Sequence, residues 1–280
     1  MREFWKRGVY IIILSVLSLT AMIHMLDLHN SSLVRGDSDS VIQDEALIDN
    51  YIRNLAEYKN KKKLTTRVGI KFVNATNDYR QGELRDYYNN FYHLNKKEEY
   101  TSGICWASAI LSTYRYYNQT TKRSYLDDGV RIINKGRERY PVVGISNGIL
   151  HSSAVSILND MFTDSKIYKN CTTWSVWDRT NYNNYYDKIQ SEIAAGNVSL
   201  FQIPGHEMVA CGYCTVRVQW SEGSKIKTKF EDMIMVCDTW HYRKNRSDSG
   251  APLPIQYYSY YPKRDLYKGL YYGLGIVRNK

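Results

Sequence analysis

The chain has 280 residues, an ordinary apolar fraction of 43% and six tryptophans, enough for one well-packed domain with added segments or two small domains. The net charge of +10 is dispersed except at Lys59-Asn60-Lys61-Lys62-Lys63, and no nucleic-acid-binding module accompanies it, so charge gives no ground for a nucleic-acid partner. Five cysteines (Cys105, Cys171, Cys211, Cys214, Cys237) are too few for the disulfide framework of a small secreted domain. Their odd number leaves one thiol over as a candidate reactive group.

Arg2, Lys6 and Arg7 precede an apolar run from Val9 to Ile23, the pattern of a secretory signal or signal anchor over residues 1–28. The run is short against the roughly 20 residues of a full span. No Ala-x-Ala cleavage site follows, which favours a retained anchor with the rest of the chain outside. The expected location is extracytoplasmic, membrane-anchored or secreted.

Residues 29–100 read as a linker, a pro-segment or an N-terminal extension. Within them, 29–40 are polar. Leu47, Tyr51, Ile52, Leu55 and Ala56 recur at helical spacing over 41–59. Thr65 to Asn74 reads as a strand, and 75–100 show no clear period. The basic run at 59–63 has the charge to touch anionic lipid, cell-wall polymer or nucleic acid, but reads as solvated linker.

From 101 to 280 the pattern predicts one domain. Helices are expected at Cys105 to Asn118, Gly148 to Met161 and Asn183 to Ala195. Strands are expected at Val198 to Ile203, Glu207 to Trp220, Ile226 to Cys237, Ile255 to Tyr261 and Leu270 to Val277. Helices first and strands after imply an α+β fold. The 26 tyrosines, dense near the C-terminus, suit strands, and Tyr257, Tyr258, Tyr260 and Tyr261 read as strand core.

Three short stretches carry chemistry. In Gly103-Ile104-Cys105-Trp106-Ala107, the cysteine opens a helix, where free N–H groups and partial positive charge favour a thiolate and can hold an oxyanion. Pro204-Gly205-His206-Glu207 starts one strand and Cys237-Asp238-Thr239-Trp240 ends the next. The turn Ser221-Glu222-Gly223-Ser224 lies between them, and the midpoint of 206 and 238 falls on Glu222. A hairpin centred there sets His206 directly opposite Asp238. Alternation agrees: Met208, Ala210, Cys214, Val216, Val218 and Trp220 share parity with His206, and Ile226, Phe230, Ile234 and Val236 share it with Asp238. A carboxylate beside an imidazole fixes its tautomer and supports its cation. Cys105, His206 and Asp238 are therefore the candidate nucleophile, base and orienter. Of the six histidines, only His206 has an expected acidic neighbour; His241 is a rival partner for Asp238. Trp106 and Trp240 flank the site in sequence.

These motifs resemble the papain-like cysteine peptidases, in particular the bacterial C39-like branch. Gly103 to Ala107 is similar to the family's helix start, Gly205-His206 to Tyr213 to its histidine strand, and Asp238-Thr239-Trp240 to its Asn/Asp-x-Trp step. The resemblance covers roughly residues 100 to 280. It implies a two-lobed fold, a helical lobe plus a barrel-like antiparallel sheet, with the site in the cleft. It also implies acyl transfer on a peptide or protein substrate with no cofactor. Where the family carries an oxyanion-hole glutamine, this chain has Glu99, and the nearest upstream glutamine is Gln81. A carboxylate there would repel an oxyanion, so a catalytically impaired binding module is one alternative and a cell-wall peptide amidase is another.

Two further chemistries fit parts of the pattern. Cys211-x-x-Cys214 with Cys237 and His241 has zinc-like spacing, but in a regular strand 211 and 214 face opposite sides, so no metal is expected. A transglutaminase-like enzyme shares the Cys–His–Asp order but has a much closer Cys-to-His spacing.

Overall fold

The computed structural model describes residues 38–74, 76, 79–99, 103–139, 148–175, 182–238, 258–264 and 273–280. The expected anchor at 1–28, His241 and Trp240 lie outside them. Among the described residues, no helix is long and apolar enough to cross a membrane.

The architecture is α+β. Six described helices, α1 (Ser38–Asn54), α2 (Gln81–Phe91), α3 (Cys105–Tyr117), α4 (Tyr125–Arg139), α5 (His151–Asp164) and α6 (Tyr182–Ala194), accompany one antiparallel sheet. Its strands are β1 (Lys62–Val73), β2 (Lys169–Ser175), β3 (Ser199–Ile203), β4 (His206–Glu222), β5 (Lys225–Cys237), β6 (Tyr258–Pro262) and β7 (Gly273–Asn279). The order is β2-β7-β3-β4-β5-β6, with β1 also on β4. No pairing between β2 and β6 closes the sheet among the described residues, so the barrel-like closure expected from the resemblance is not seen.

The long strand β4 organises the molecule. Its inner half pairs with β3 (Phe201 with Met208) and its outer half with β1 (Val68 with Val216), while β5 runs along the other side. The basic run at 59–63 is therefore no free linker: Lys62 opens β1, opposite Ser221. Residues from Asp44 to Lys280 form one compact unit.

One face of the sheet is covered by helices carrying Ile48, Ile52, Trp106, Ile110, Ile133, Leu158 and Phe162. The inner part of the other face packs on Tyr185, Tyr186, Ile189 and Ile193 of α6. Two helices, α2 and α4, and strand β2 have no counterpart in the sequence pattern. In α4 the interruption is glycine, which lowers helix propensity but here allows close approach. A Cβ on Gly136 would lie 2.4 Å from the Trp106 ring, and one on Gly129 would lie 2.0 Å from Leu84 Cδ1. Asp128, wholly buried in α4, is paired with Arg115 and Arg131, each at 3.1 Å, so the buried charge is balanced.

The β4–β5 hairpin departs from the expected register. The turn is Gly223-Ser224, with Glu222 paired to Lys225, and Gly223 has a φ of +63°. The register runs Cys214 with Met233 and Gly212 with Met235, then shifts at Cys211, so that Ala210 meets Val236 and Val209 meets Cys237. This β-bulge inverts the alternation. Outside it Cys214, Val216 and Val218 face the α1–α5 core; inside it Val209 and Cys211 do, while Met208 and Ala210 face α6. The single parity expected along β4 is thus wrong. Ile226 and Phe230, expected on the core face, are exposed.

Candidate active site

Cys105 is the first residue of α3. Gly103, with a φ of +81°, turns the chain into the helix, a conformation only glycine adopts without strain. The helix start has no side-chain cap, and Ile104, Cys105 and Trp106 are all buried. The first intrahelical bonds are donated by Ala107 and Ser108 to the Ile104 carbonyl, 3.1 and 3.3 Å. The amides of Cys105 and Trp106 precede them, in the turn where helix N–H groups have no intrahelical acceptor. A buried helix start without a cap is a natural seat for an anion.

His206 begins β4, released into the strand by the Pro204-Gly205 turn, in which Gly205 has a φ of +78°. Asp238 directly follows β5. The hydrogen bond between His206 Nε2 and Asp238 Oδ1 is 2.8 Å, and both residues are buried. They are not directly opposite. Continuing the Val209–Cys237 register sets Asp238 across from Met208, so His206 is its diagonal neighbour on the same face. The bulge at Cys211 is what brings the two even-numbered positions to one face.

Nε2 is engaged by Asp238, and Cys105 lies near enough to the imidazole to favour its charged form. Burial by itself lowers the basicity of His206. The bond to Asp238, with a further contribution from Cys105, outweighs it and pushes the pKa up to about 9. The imidazole is thereby held as a cation at neutral pH beside a thiol at a helix N-terminus. The arrangement brings together a thiol at a helix start, an imidazole favoured in its charged form and a buried carboxylate.

The other sequence candidates fare differently. Trp106 is a core residue, its ring against Gly136 of α4. Gln81 is the first residue of α2, and Glu99 lies in a turn where its N–H bonds the Asn95 carbonyl. No side-chain bond joins either to Cys105 or His206 among the described residues. Among the described residues the amides of Cys105 and Trp106 at the start of α3 have no backbone acceptor, which makes them candidate oxyanion donors.

A second histidine–carboxylate pair has no trace in the sequence pattern. His151 Nδ1 lies 2.8 Å from Glu207 Oε1, both residues buried, which ties the residue after His206 to the first residue of α5. Their separation of 56 residues leaves no local signal. The pairs differ in that Cys105 acts on the charge of His206. Cys171, nearest in charge terms to Glu207, is buried and its thiol is pushed up to about 12.

Cys211 and Cys214 do not face opposite sides, because the bulge between them returns both to one core. Cys211 Sγ lies 3.8 Å from Cys237 Sγ. No group of three potential metal ligands occurs among the described residues.

No protein-family model matches the chain, and no curated protein matches it. The fold is similar to the crystal structure of UfSP from C. elegans, with a TM-score of 0.43 and 10% identity, over 81% of this chain and 36% of that one. The chain thus spans little more than a third of that protein's length.

Proposed function

We propose that the chain is a cysteine-type hydrolase of papain-like, C39-like organisation that cleaves peptide or amide bonds outside the cytoplasm. The proximity of Cys105, first residue of a helix, to an imidazole itself bonded to a buried carboxylate supports this reading. Cys105 attacks the scissile carbonyl as thiolate, forming a C–S bond. The resulting oxyanion is held by the Cys105 and Trp106 amides. Collapse expels the amine, which takes its proton from the His206 imidazolium. Water then attacks the thioester, giving a proton back to His206, and the carboxylic acid leaves with the thiolate restored. Asp238 keeps the imidazole oriented and stabilises its charged form. Glu99 takes no part, so the departure from the family glutamine does not remove the oxyanion site.

The test is limiting alkylation of the purified protein at mildly acidic pH, with sites located by mass spectrometry. Cys105 should react at least tenfold faster than the other cysteines, and His206→Ala should abolish that preference. A mixture of peptides and peptidoglycan fragments then distinguishes protein from cell-wall substrates. If Cys105 reacts no faster than the others and His206→Ala changes nothing, the hydrolase reading fails and the binding-module alternative takes its place.

A further inference from the structure

Beyond α6, the sheet face that carries His206 and Asp238 continues into an exposed end. Three rows cross β1, β4 and β5 there: Lys62, Ser221 and Ile226; Thr65, Gln219 and Thr228; Arg67, Arg217 and Phe230. Directly paired residues share a face, so the nine side chains form one flat array. It contains three cations, no carboxylate and two large apolar groups, Ile226 at 73% and Phe230 at 63% exposure. The side chains of Lys62, Lys63, Arg67, Arg217 and Lys225 have no ion pair or hydrogen bond within the described residues. Glu222, the nearby carboxylate, is already shared by Lys61 and Lys227 at 3.7 and 3.6 Å. One row further in, Asp232 is occupied by a 2.8 Å bond from Thr215 Oγ1.

We propose that this face docks on an anionic lipid bilayer. Arginine and lysine meet headgroup phosphates while Phe230 and Ile226 enter the acyl boundary, the division of labour of an interfacial surface. A soluble polyanion would satisfy the cations but leave both apolar side chains in water. Strand addition of a peptide is opposed by the edge itself. Among the described residues β5 pairs only with β4 from Lys225 to Glu231, and Lys225, Lys227 and Lys229 line that edge as guards against pairing. A second copy of the same face would bring like charges together. The apolar run at Val9 to Ile23, read from sequence as membrane-targeting, would raise the local bilayer concentration seen by this face. The proposal does not depend on the hydrolase reading.

The experiment uses the full chain carrying Phe230→Trp, compared by difference fluorescence with the unsubstituted chain. Vesicles contain brominated phosphatidylcholine, with or without phosphatidylserine. The readout is local to position 230, so insertion of the N-terminal run cannot imitate it. The signal of the introduced indole should shift to the blue and be quenched only when phosphatidylserine is present. Arg67→Glu with Arg217→Glu should cut that partitioning on the order of tenfold or more, with the alkylation rate of Cys105 unchanged as the control for folding. Absence of quenching overturns the proposal, as does quenching that is equal without phosphatidylserine and indifferent to charge reversal. Binding of an oligonucleotide that survives Ile226→Ser with Phe230→Ser, without quenching on vesicles, reassigns the face to a polyanion and also overturns it.

Discussion

The His206–Asp238 pair makes a prediction about proton affinity that geometry alone could get wrong. Burial opposes the imidazolium, and the carboxylate 2.8 Å away has to overcome that before the pKa can reach about 9. The gap between about 9 and the ordinary 6.5 corresponds to roughly 3 kcal/mol of preference for the charged ring in the folded protein. The sign follows from linkage. A folded pKa above the unfolded one stabilises the fold fully below pH 6.5, and that contribution is lost as pH rises through about 9. Replacing Asp238 with Asn removes the charge and leaves the burial, so His206 should lose more than tenfold in proton affinity and titrate much nearer to or below the ordinary value. The assay is NMR titration of the imidazole ring protons, with the His206 resonance assigned by its loss in His206→Gln. The alkaline arm of the stability profile should flatten in Asp238→Asn, measured as Tm against pH. A His206 resonance that titrates near 6.5 in the unsubstituted protein, or one that Asp238→Asn leaves in place, refutes the reasoning.

Other consequences can be checked by stability and labelling. Asp128→Ala leaves the part-buried Arg115 and Arg131 without their shared carboxylate; it should cost about 3 kcal/mol and lower Tm by roughly 6–12 °C, and a loss below about 1 kcal/mol would show the cluster to be solvent-screened. Gly136→Ala drives a methyl to 2.4 Å from the Trp106 ring, an overpacking cost of roughly 1–3 kcal/mol that should exceed the gain of about 1 in helix propensity, so an increase in Tm would contradict the close packing of α4 on α3. Cys171, with its thiol held up at about 12, should stay unlabelled by alkylators at pH 8 in the folded protein and react only on denaturation.

What is legible in the sequence follows from which signals are local. A cysteine at the opening of an amphipathic helix, two long alternating runs around a Gly-Ser turn, and a Pro-Gly step before His206 are written within a few residues of one another. They place α3, β4 and β5, with boundaries within a residue or two. The helix α4 is illegible because its evidence is tertiary: Gly129 and Gly136 look like breakers until Leu84 and Trp106 are seen to need the space. The packing of Trp106 is equally illegible: one step along the helix turns a side chain by about 100° from Cys105, and its ring is buried against Gly136 of α4. His151 and Glu207 are invisible as a pair for the same reason as most buried ion pairs: nothing local links α5 to the start of β4.

The bulge at Cys211 shows how His206 and Asp238 come to bond through a register other than the expected one. Centring the hairpin on Glu222 sets residue numbers summing to 444 across from each other, whereas the outer ladder pairs residues summing to 447, such as Val216 with Glu231. Continued without interruption, that ladder would put every even residue of β4 on the same face as the odd residues of β5. His206 would then face away from Asp238. One extra residue at Cys211 restores even with even, as in Ala210 with Val236. The same irregularity lets the outer half of β4 bury Cys214, Val216 and Val218 against the α1–α5 core while the inner half frees Met208 and Ala210 for α6. The strand thus serves two cores on opposite faces of the sheet, and the histidine–aspartate bond forms on the far side of the point where they change over. The bare outer face, with Arg67, Arg217 and Phe230, is the remainder of that exchange: β4 turns its apolar side chains to the helices there and leaves the reverse side to solvent. The histidine–aspartate pair and the docking face are therefore consequences of one inserted residue, on one face of one strand.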